Sequence, residues 1–273
     1  MTGARGNAAP AAGAARPIVR AIVTLARYTA AEAIHSRVFV TALLIIAAGM
    51  ALAQFASELA LTDSRGISAA SQAWLFRLAA AFLIAGFAVT TLVREVNDKG
   101  LELFLSLPLP RGGYLLGKWA GCTLAAALLA ALFALPLFLT APAAGVAAWA
   151  LTLFFELAIV ASVSLLCAIT LTHVVASMSA VLAFYCLART MAAMLAVGAS
   201  TVAPTHSMTF RFSTALLDAI AALLPGLERF CRTEWLTGAS PGWLDLAGLA
   251  GQSLLYVTLL LTAAYVDLMR KSV

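Results

Sequence analysis

Six long apolar runs restrict the fold of this chain more than any other feature of its sequence. They cover residues 38–56, 73–93, 114–140, 145–171, 174–203 and 246–268. Each is close to or above the roughly 20 residues that a helix needs to cross the hydrocarbon core of a bilayer. Strands of a membrane barrel would alternate polar and apolar residues, whereas these runs are continuous. The sequence therefore predicts an all-α integral membrane protein with six transmembrane helices.

The composition excludes a soluble protein. Hydrophobic residues make up 63% of the chain and charged residues 11%, against about 25% charged residues in a soluble domain. The net charge of +5 comes from residues at the ends of the apolar runs, so a clustered nucleic-acid surface is not indicated. The four cysteines form no C-x-x-C pair, which favours small buried side chains over a metal site or disulfides.

The distribution of Lys and Arg predicts the orientation, because these residues are enriched on the cytoplasmic side. A cytoplasmic N-terminus places eleven of them inside and four outside, with Arg77 and Arg189 within spans. We therefore expect a multi-pass protein of the cell inner membrane with both termini cytoplasmic. Residues 214–224 and 227–236 are each too short to cross, and we expect them to form short re-entrant helices before span six, covered by protein or water.

The N-terminal region has two predicted parts. Residues 1–16 are rich in Ala and Gly and lack the apolar core of a signal peptide, so a disordered cytoplasmic tail is expected. Residues 17–37 have an apolar face opposite Arg20 and Arg27, a pattern typical of an interfacial helix in the membrane plane. Packing of this helix against protein is the alternative. Residues 17–273 would then form a single transmembrane domain.

The stretch between spans two and three is the most charged part of the chain. Asp98 and Lys99 precede Gly100, and a short leucine-rich helix is predicted to follow. Pro108 and Pro110 end this helix, because proline cannot continue a helix and restricts the residue before it. Such a helix at the cytoplasmic face needs a surface to cover it, either lipid or a soluble partner.

This stretch resembles the corresponding region of ABC-2 type transporter permeases, the membrane subunits of ATP-driven exporters. The family has a charged end of span two, a short helix, Leu-Pro-x-x-Arg and Tyr-Leu-x-Gly-Lys. The matching residues here are Arg94, Glu95, Lys99, Gly100, Leu101, Glu102, Leu103, Leu107, Pro108, Arg111, Tyr114, Leu115, Gly117 and Lys118. The family commonly has Thr after the glycine, where this chain has Leu101. The resemblance extends to the whole layout of spans and short helices.

The resemblance implies a cytoplasmic coupling helix that docks on a separate ABC ATP-binding subunit. Two copies of that subunit would pair with this permease and with a second copy or a homologous permease. ATP and magnesium would be bound by the ATPase, and this chain would be a non-catalytic subunit without a cofactor. The implied coupling residues are Arg94, Glu95, Asp98, Lys99, Gly100, Leu101, Glu102, Leu103, Leu107, Pro108 and Arg111. A solvated loop that only sets topology is the alternative.

Two short motifs match catalytic signatures without their usual context. Residues 112–118 match G-x-x-x-x-G-K, but Trp119 stands where a phosphate loop needs Ser or Thr. Residues 238–242 match G-x-S-x-G, but no strand–turn–helix frame surrounds them. His173 is expected on the opposite face of the membrane and His206 in a loop. An intramembrane serine protease therefore stays a remote alternative.

Two features concern packing inside the bilayer. Gly117 and Gly121 have the G-x-x-x-G spacing that permits close helix approach. Glu156 and Arg189 are charged residues inside spans four and five, where one charge costs about 2.5–3.5 kcal/mol on insertion scales. Their depths differ by roughly one helical turn, so we predict an intramembrane ion pair between them. This pair would either pin the two spans together or line a path for cargo.

The leading hypothesis is a permease of an ATP-driven exporter, and a six-span secondary transporter or channel is the alternative. Secondary carriers usually show internal repeats and broken helices at mid-membrane, and no convincing repeat relates residues 38–140 to residues 145–268. The apolar interior favours a lipid-like or amphipathic cargo.

Overall fold

Helices account for the regular structure of the part of the chain that the structure describes. The computed structural model describes residues 11–59, 64–98, 111–199, 221, 224–230, 233–236 and 242–270, and these contain α-helices and 3-10 turns but no strand. The α-helices are α1 (Ala11–His35), α2 (Arg37–Leu59), α3 (Ser64–Asn97), α4 (Arg111–Ala134), α5 (Ala143–Leu171), α6 (Val174–Ala199) and α7 (Trp243–Arg270). Helices α2 to α7 are all long and apolar enough to cross a membrane. The protein is thus an all-α multi-pass membrane protein.

Helix α1 begins earlier than the sequence suggested. Residues 11–16, expected to be disordered, form its first turns. This stretch is rich in alanine, which has the highest helix propensity of any residue. Ser36 separates α1 from α2, and its hydroxyl accepts a hydrogen bond from the Val38 N–H at 3.3 Å. Ser36 therefore caps the start of the first membrane-spanning helix.

The α-helix of the third span ends earlier than predicted, although the spanning segment itself runs from Arg111 to Leu139. Helix α4 ends at Ala134, and a 3-10 turn from Pro136 to Leu139 follows. A continuous helix to residue 140 was expected, but Pro136 lacks the N–H of an α-helical hydrogen bond and its ring crowds the preceding turn. The Thr140 N–H instead donates to the Leu137 carbonyl at 3.1 Å.

The bundle has two ends, which we name by the helices that meet there. At the proximal end, α3 ends, α4 begins and α7 ends. There Arg111 Nη1 donates to the Leu268 carbonyl at 3.3 Å, and Thr170 Oγ1 donates to Asp267 Oδ2 at 2.9 Å. At the distal end, α4 ends and α5 begins. Side-chain and backbone contacts therefore join the helices α4, α5 and α7 at the proximal end.

The segment before α7 packs at the distal end. Re-entrant helices were expected over residues 214–224 and 227–236. Most of the first range lies outside the described residues, and the second contains two 3-10 turns, Leu227–Phe230 and Thr233–Leu236. Trp235 is buried, and its carbonyl lies so close to Gly145 that a side chain at residue 145 would overlap it. Among the described residues of this segment, Trp235 and Leu236 are thus covered by protein.

The core is formed mainly by α3, α4 and α5. Helices α3 and α5 are mostly buried, whereas fewer than a third of the residues in the apolar stretches of α2, α6 and α7 are buried. Phe76 of α3 and Phe133 of α4 pack with ring centroids 5.4 Å apart. The charged side chains described below lie where the buried helices α3 and α5 meet α6.

Helix α1 packs closely on the first part of α4 through Gly117 and Gly121. A Cβ atom at Gly121 would overlap the Thr29 side chain and lie 3.0 Å from the Ala26 carbonyl oxygen. A Cβ atom at Gly117 would lie 2.9 Å from Leu25 Cδ2. The two glycines of the G-x-x-x-G spacing therefore allow α1 to pack closely on α4. One face of the predicted interfacial helix thus contacts protein.

Adding a methyl group at Gly121 is expected to destabilise the protein. Gly121→Ala should lower the free energy of unfolding by about 1–3 kcal/mol, because α1 must move away from α4 to relieve the overlap. Gly86→Ala is the matched control, because a Cβ there meets nothing within 4 Å. Alanine should leave stability unchanged or raise it by up to about 1 kcal/mol at this helical position. Equal shifts in reversible unfolding for both variants would contradict this packing.

Candidate functional site

Three charged side chains meet inside the bundle, and we call them the Arg–Glu–Arg cluster: Arg77 of α3, Glu156 of α5 and Arg189 of α6. The side chains of Arg77 and Glu156 are fully buried. Arg77 lies thirteen residues from the start of α3, and Glu156 lies thirteen residues from the start of α5. Because both helices begin at the distal end, a rise of about 1.5 Å per residue brings the two side chains to the same depth.

Glu156 is the centre of this cluster, and both of its carboxylate oxygens accept hydrogen bonds. Arg77 Nη1 lies 2.5 Å from Oε2. The Tyr185 hydroxyl donates to Oε1 at 2.9 Å, and Arg189 Nη1 lies 3.4 Å from the same oxygen. A buried carboxylate requires such donors, because a charge without them would face a large desolvation cost.

Arg77 makes two further contacts with α5. Its Nη2 donates to Thr152 Oγ1 at 3.2 Å, and its guanidinium carbon lies 5.3 Å from the centre of the Trp149 ring. A cation over a tryptophan face is attracted by the ring quadrupole, more strongly where water is absent. Arg77 is therefore held by an ion pair, a hydrogen bond and a cation–π contact, all on one helix.

The structure brings the predicted partners Glu156 and Arg189 together, but it also shows a closer partner that the sequence argument missed. Arg77 approaches the carboxylate to 2.5 Å, against 3.4 Å for Arg189. The predicted runs 73–93 and 145–171 placed Arg77 four residues and Glu156 eleven residues from their starts, so the sequence did not match their depths. Only the observed helix starts at Ser64 and Ala143 bring the two side chains to the same level. Nothing in the sequence showed that α3 and α5 are neighbours.

A second polar cluster lies at the proximal end, and we call it the proximal joint: Glu95 of α3 with Tyr114 and Lys118 of α4. Glu95 Oε1 forms an ion pair with Lys118 Nζ, and the Tyr114 hydroxyl donates to Glu95 Oε2 at 2.6 Å. Tyr114 and Lys118 are four residues apart and so lie on one face of α4. The joint therefore ties the last turn of α3 to the first two turns of α4.

Burial differs between the two charged groups of the joint. The Lys118 side chain is 1% exposed, whereas the Glu95 side chain is 19% exposed. Lysine is rarely buried to this degree without a partner. The buried Lys118 ammonium therefore depends on Glu95 to neutralise its charge, whereas the Glu95 carboxylate remains partly exposed.

Four of the predicted coupling residues belong to the described part of the chain and lie at or near this joint. Arg94 and Asp98 are exposed at the end of α3, and Arg111 begins α4. Glu95 is turned towards α4 instead of solvent. The remaining predicted residues lie outside the described residues, namely Lys99, Gly100, Leu101, Glu102, Leu103, Leu107 and Pro108.

The two catalytic-looking motifs gain no structural support from the described residues. The stretch 112–118 is helical and belongs to α4, with Lys118 buried against Glu95, so it is not a phosphate-binding loop. His173 lies in the turn between α5 and α6, whereas His206 and residues 238–241 lie outside the described part. Within that part, no group of three His, Cys, Asp or Glu side chains is placed to hold a metal ion.

No protein-family model matches the chain, and no curated protein matches its sequence. The Arg–Glu–Arg cluster and the proximal joint are therefore interpreted from their own residues and geometry.

Proposed function

We propose that this chain is the permease subunit of an ATP-driven exporter of the ABC-2 type. The observation that supports this most strongly is the proximal joint. It connects α3 and α4 on both sides of residues 99–110, the stretch that resembles a coupling helix. A separate ATP-binding subunit would press on that stretch from the cytoplasm, and the proximal end would then be the cytoplasmic end of the bundle.

The proximal joint would help transmit force from residues 99–110 to the membrane-spanning helices. A load on residues 99–110 would reach α3 and α4 through the backbone. The Glu95–Lys118 ion pair, largely withdrawn from water, would make the two helices move together. Helix α3 also carries Arg77, which is bound to Glu156 of α5, and Glu156 contacts Arg189 of α6. Displacement of α3 would therefore move α5 and α6 with it through contiguous polar contacts.

The remaining parts of the exporter would be supplied by partner chains. Two copies of an ABC ATP-binding subunit would supply ATP hydrolysis and its magnesium, and a second permease, identical or homologous, would complete the transport path. Cargo would cross the cell inner membrane between the two permeases. The apolar interior favours a lipid-like or amphipathic cargo, and this chain would contribute no catalytic residue.

Co-purification tests the proposal. The tagged full-length chain, extracted from its native membrane, is expected to bring down an ATP-binding subunit that mass spectrometry identifies. Glu102→Arg and Gly100→Pro should reduce the recovered ATPase by about tenfold or more, since a loss of about 1.4 kcal/mol at the interface has this effect. The permease itself should remain in the membrane.

The matched control reverses a charge at the other end of the molecule. Glu58 is exposed near the end of α2, at the distal end, so Glu58→Arg should leave ATPase recovery unchanged. Recovery of no ATP-binding subunit at all, or equal loss with Glu58→Arg and Glu102→Arg, would count against an ABC-2 permease.

A secondary transporter or channel is the second candidate, and the Arg–Glu–Arg cluster favours it. Ionisable residues deep in a membrane often mark substrate or ion pathways, and Arg189 is partly exposed beside the buried Glu156. Purified chain in proteoliposomes distinguishes the candidates. Flux driven by an ion gradient without any ATPase would favour the carrier, whereas flux that requires the ATPase and ATP would favour the permease.

A further inference from the structure

The helix α1 has three distinct faces. The first face packs on α4 and contains Ile22, Leu25, Ala26, Thr29 and Ala33, which are buried or half-buried. On this face, Leu25 lies against Gly117 and Thr29 lies against Gly121. The exposed residues of α1 between positions 19 and 35 all lie outside this face.

The second face is an exposed apolar stripe beside the first. Val19, Val23 and Ile34 are all at least half exposed. With about 100° of rotation per residue, the three side chains lie within roughly 60° of one another. A soluble protein would rarely leave such a stripe uncovered along a helix that also packs on a core.

The third face is polar, and its two arginines lie next to the apolar stripe. Arg20 and Arg27 are exposed and seven residues apart, which places them about 10 Å apart along the helix and within about 20° around it. Among the described residues, no carboxylate lies within ion-pair distance of either guanidinium. Thr24 and His35 lie further round, and each bonds to a backbone carbonyl one turn earlier.

The connection to α2 places these faces at a membrane surface. Only Ser36 separates the end of α1 from Arg37, the first residue of a membrane-spanning helix. An apolar stripe bordered by arginines at that position suits the boundary between acyl chains and headgroups. The stripe would enter the acyl layer, and Arg20 and Arg27 would then lie at the level of the phosphates.

We infer that α1 is a binding surface for acidic phospholipids, with Arg20 and Arg27 as the headgroup contacts. A zwitterionic headgroup would not satisfy two neighbouring cations, whereas an anionic leaflet attracts each of them. The lipid would also press α1 onto α4 beside Gly117 and Gly121, close to Lys118 of the proximal joint. This inference does not depend on the presence of an ATPase.

The test measures lipid binding by the purified full-length chain. Phosphatidylglycerol is titrated against the detergent-solubilised protein at about 0.1 M salt, with phosphatidylcholine of the same acyl chains as reference, and bound lipid is counted by native mass spectrometry. Arg20→Gln combined with Arg27→Gln should lower the affinity for phosphatidylglycerol by roughly 30-fold. Both positions are exposed and glutamine suits a helix, so the fold should persist.

Two controls make the result decisive. Arg229→Gln removes an exposed arginine at the distal end and should leave the affinity unchanged. Val23→Asp, in the apolar stripe, should weaken binding of both lipids. Equal binding of phosphatidylglycerol and phosphatidylcholine by the unmodified chain would overturn the inference, as would full phosphatidylglycerol affinity in the double arginine variant.

Discussion

Replacement of Glu156 with glutamine is expected to lower the free energy of unfolding by about 3–5 kcal/mol, the cost of removing one partner from a buried ion pair. The variant leaves Arg77 fully buried and Arg189 partly buried without the carboxylate that both contact. Glutamine has nearly the same shape, so the change isolates the charge. Reversible unfolding of the purified protein in mixed micelles measures the difference.

Two comparisons separate the charge effect from a general weakness of α5. Ser164 is buried on the same helix, and its hydroxyl donates to the Val160 carbonyl of that helix. Ser164→Ala should therefore change stability by less than about 1 kcal/mol. Exchange of Arg77, Glu156 and Arg189 together for methionine should recover most of the stability, because no buried charge remains. Glu156→Gln stability within about 1 kcal/mol of the unmodified chain would contradict this account.

The proximal joint is expected to respond unequally to loss of its two charges. Glu95→Gln should cost about 3–5 kcal/mol of unfolding free energy, because it leaves the buried Lys118 ammonium without its carboxylate. Lys118→Met should cost less, about 1 kcal/mol, because Glu95 is 19% exposed and methionine fills the volume of the lysine stem.

The double variant Glu95→Gln with Lys118→Met tests whether the joint transmits force. It should be more stable than Glu95→Gln alone, and under the proposed function it should still co-purify with the ATPase. Transport per ATP hydrolysed should nevertheless fall, because the ion pair that links α3 to α4 next to residues 99–110 is lost. Equal destabilisation by Glu95→Gln and Lys118→Met would contradict the burial argument, and unchanged transport in the double variant would contradict the mechanical role.

The helical plan was predictable because it follows from local properties of the chain. A continuous apolar run specifies a spanning helix by its length, and the predicted spans agree with α2 to α7 apart from their ends. The ends differ where local chemistry acts over a few residues. Pro136 stops α4 before residue 140, and the alanine-rich stretch from Ala11 extends α1.

The charged sites were only partly predictable. Depth in a helix can be counted along the sequence, which is why Glu156 and Arg189 could be matched. Arg77 was missed because the predicted span began at residue 73 and placed it near one end of that span, whereas α3 begins at Ser64. Depth also does not tell which helices are neighbours. Lys118 belonged to the family resemblance, but its burial against Glu95 became visible only once α3 and α4 were side by side.

The sequence by itself determined the class of protein and the number of spanning helices, because hydrophobicity and length decide whether a helix stays in a bilayer. Only the tertiary structure decided which side chains share each buried charge. Lipid solvates every apolar face about equally and gives no strong preference among helix neighbours, so close packing at Gly117 and Gly121 and polar contacts such as that of Arg77 with Glu156 select them.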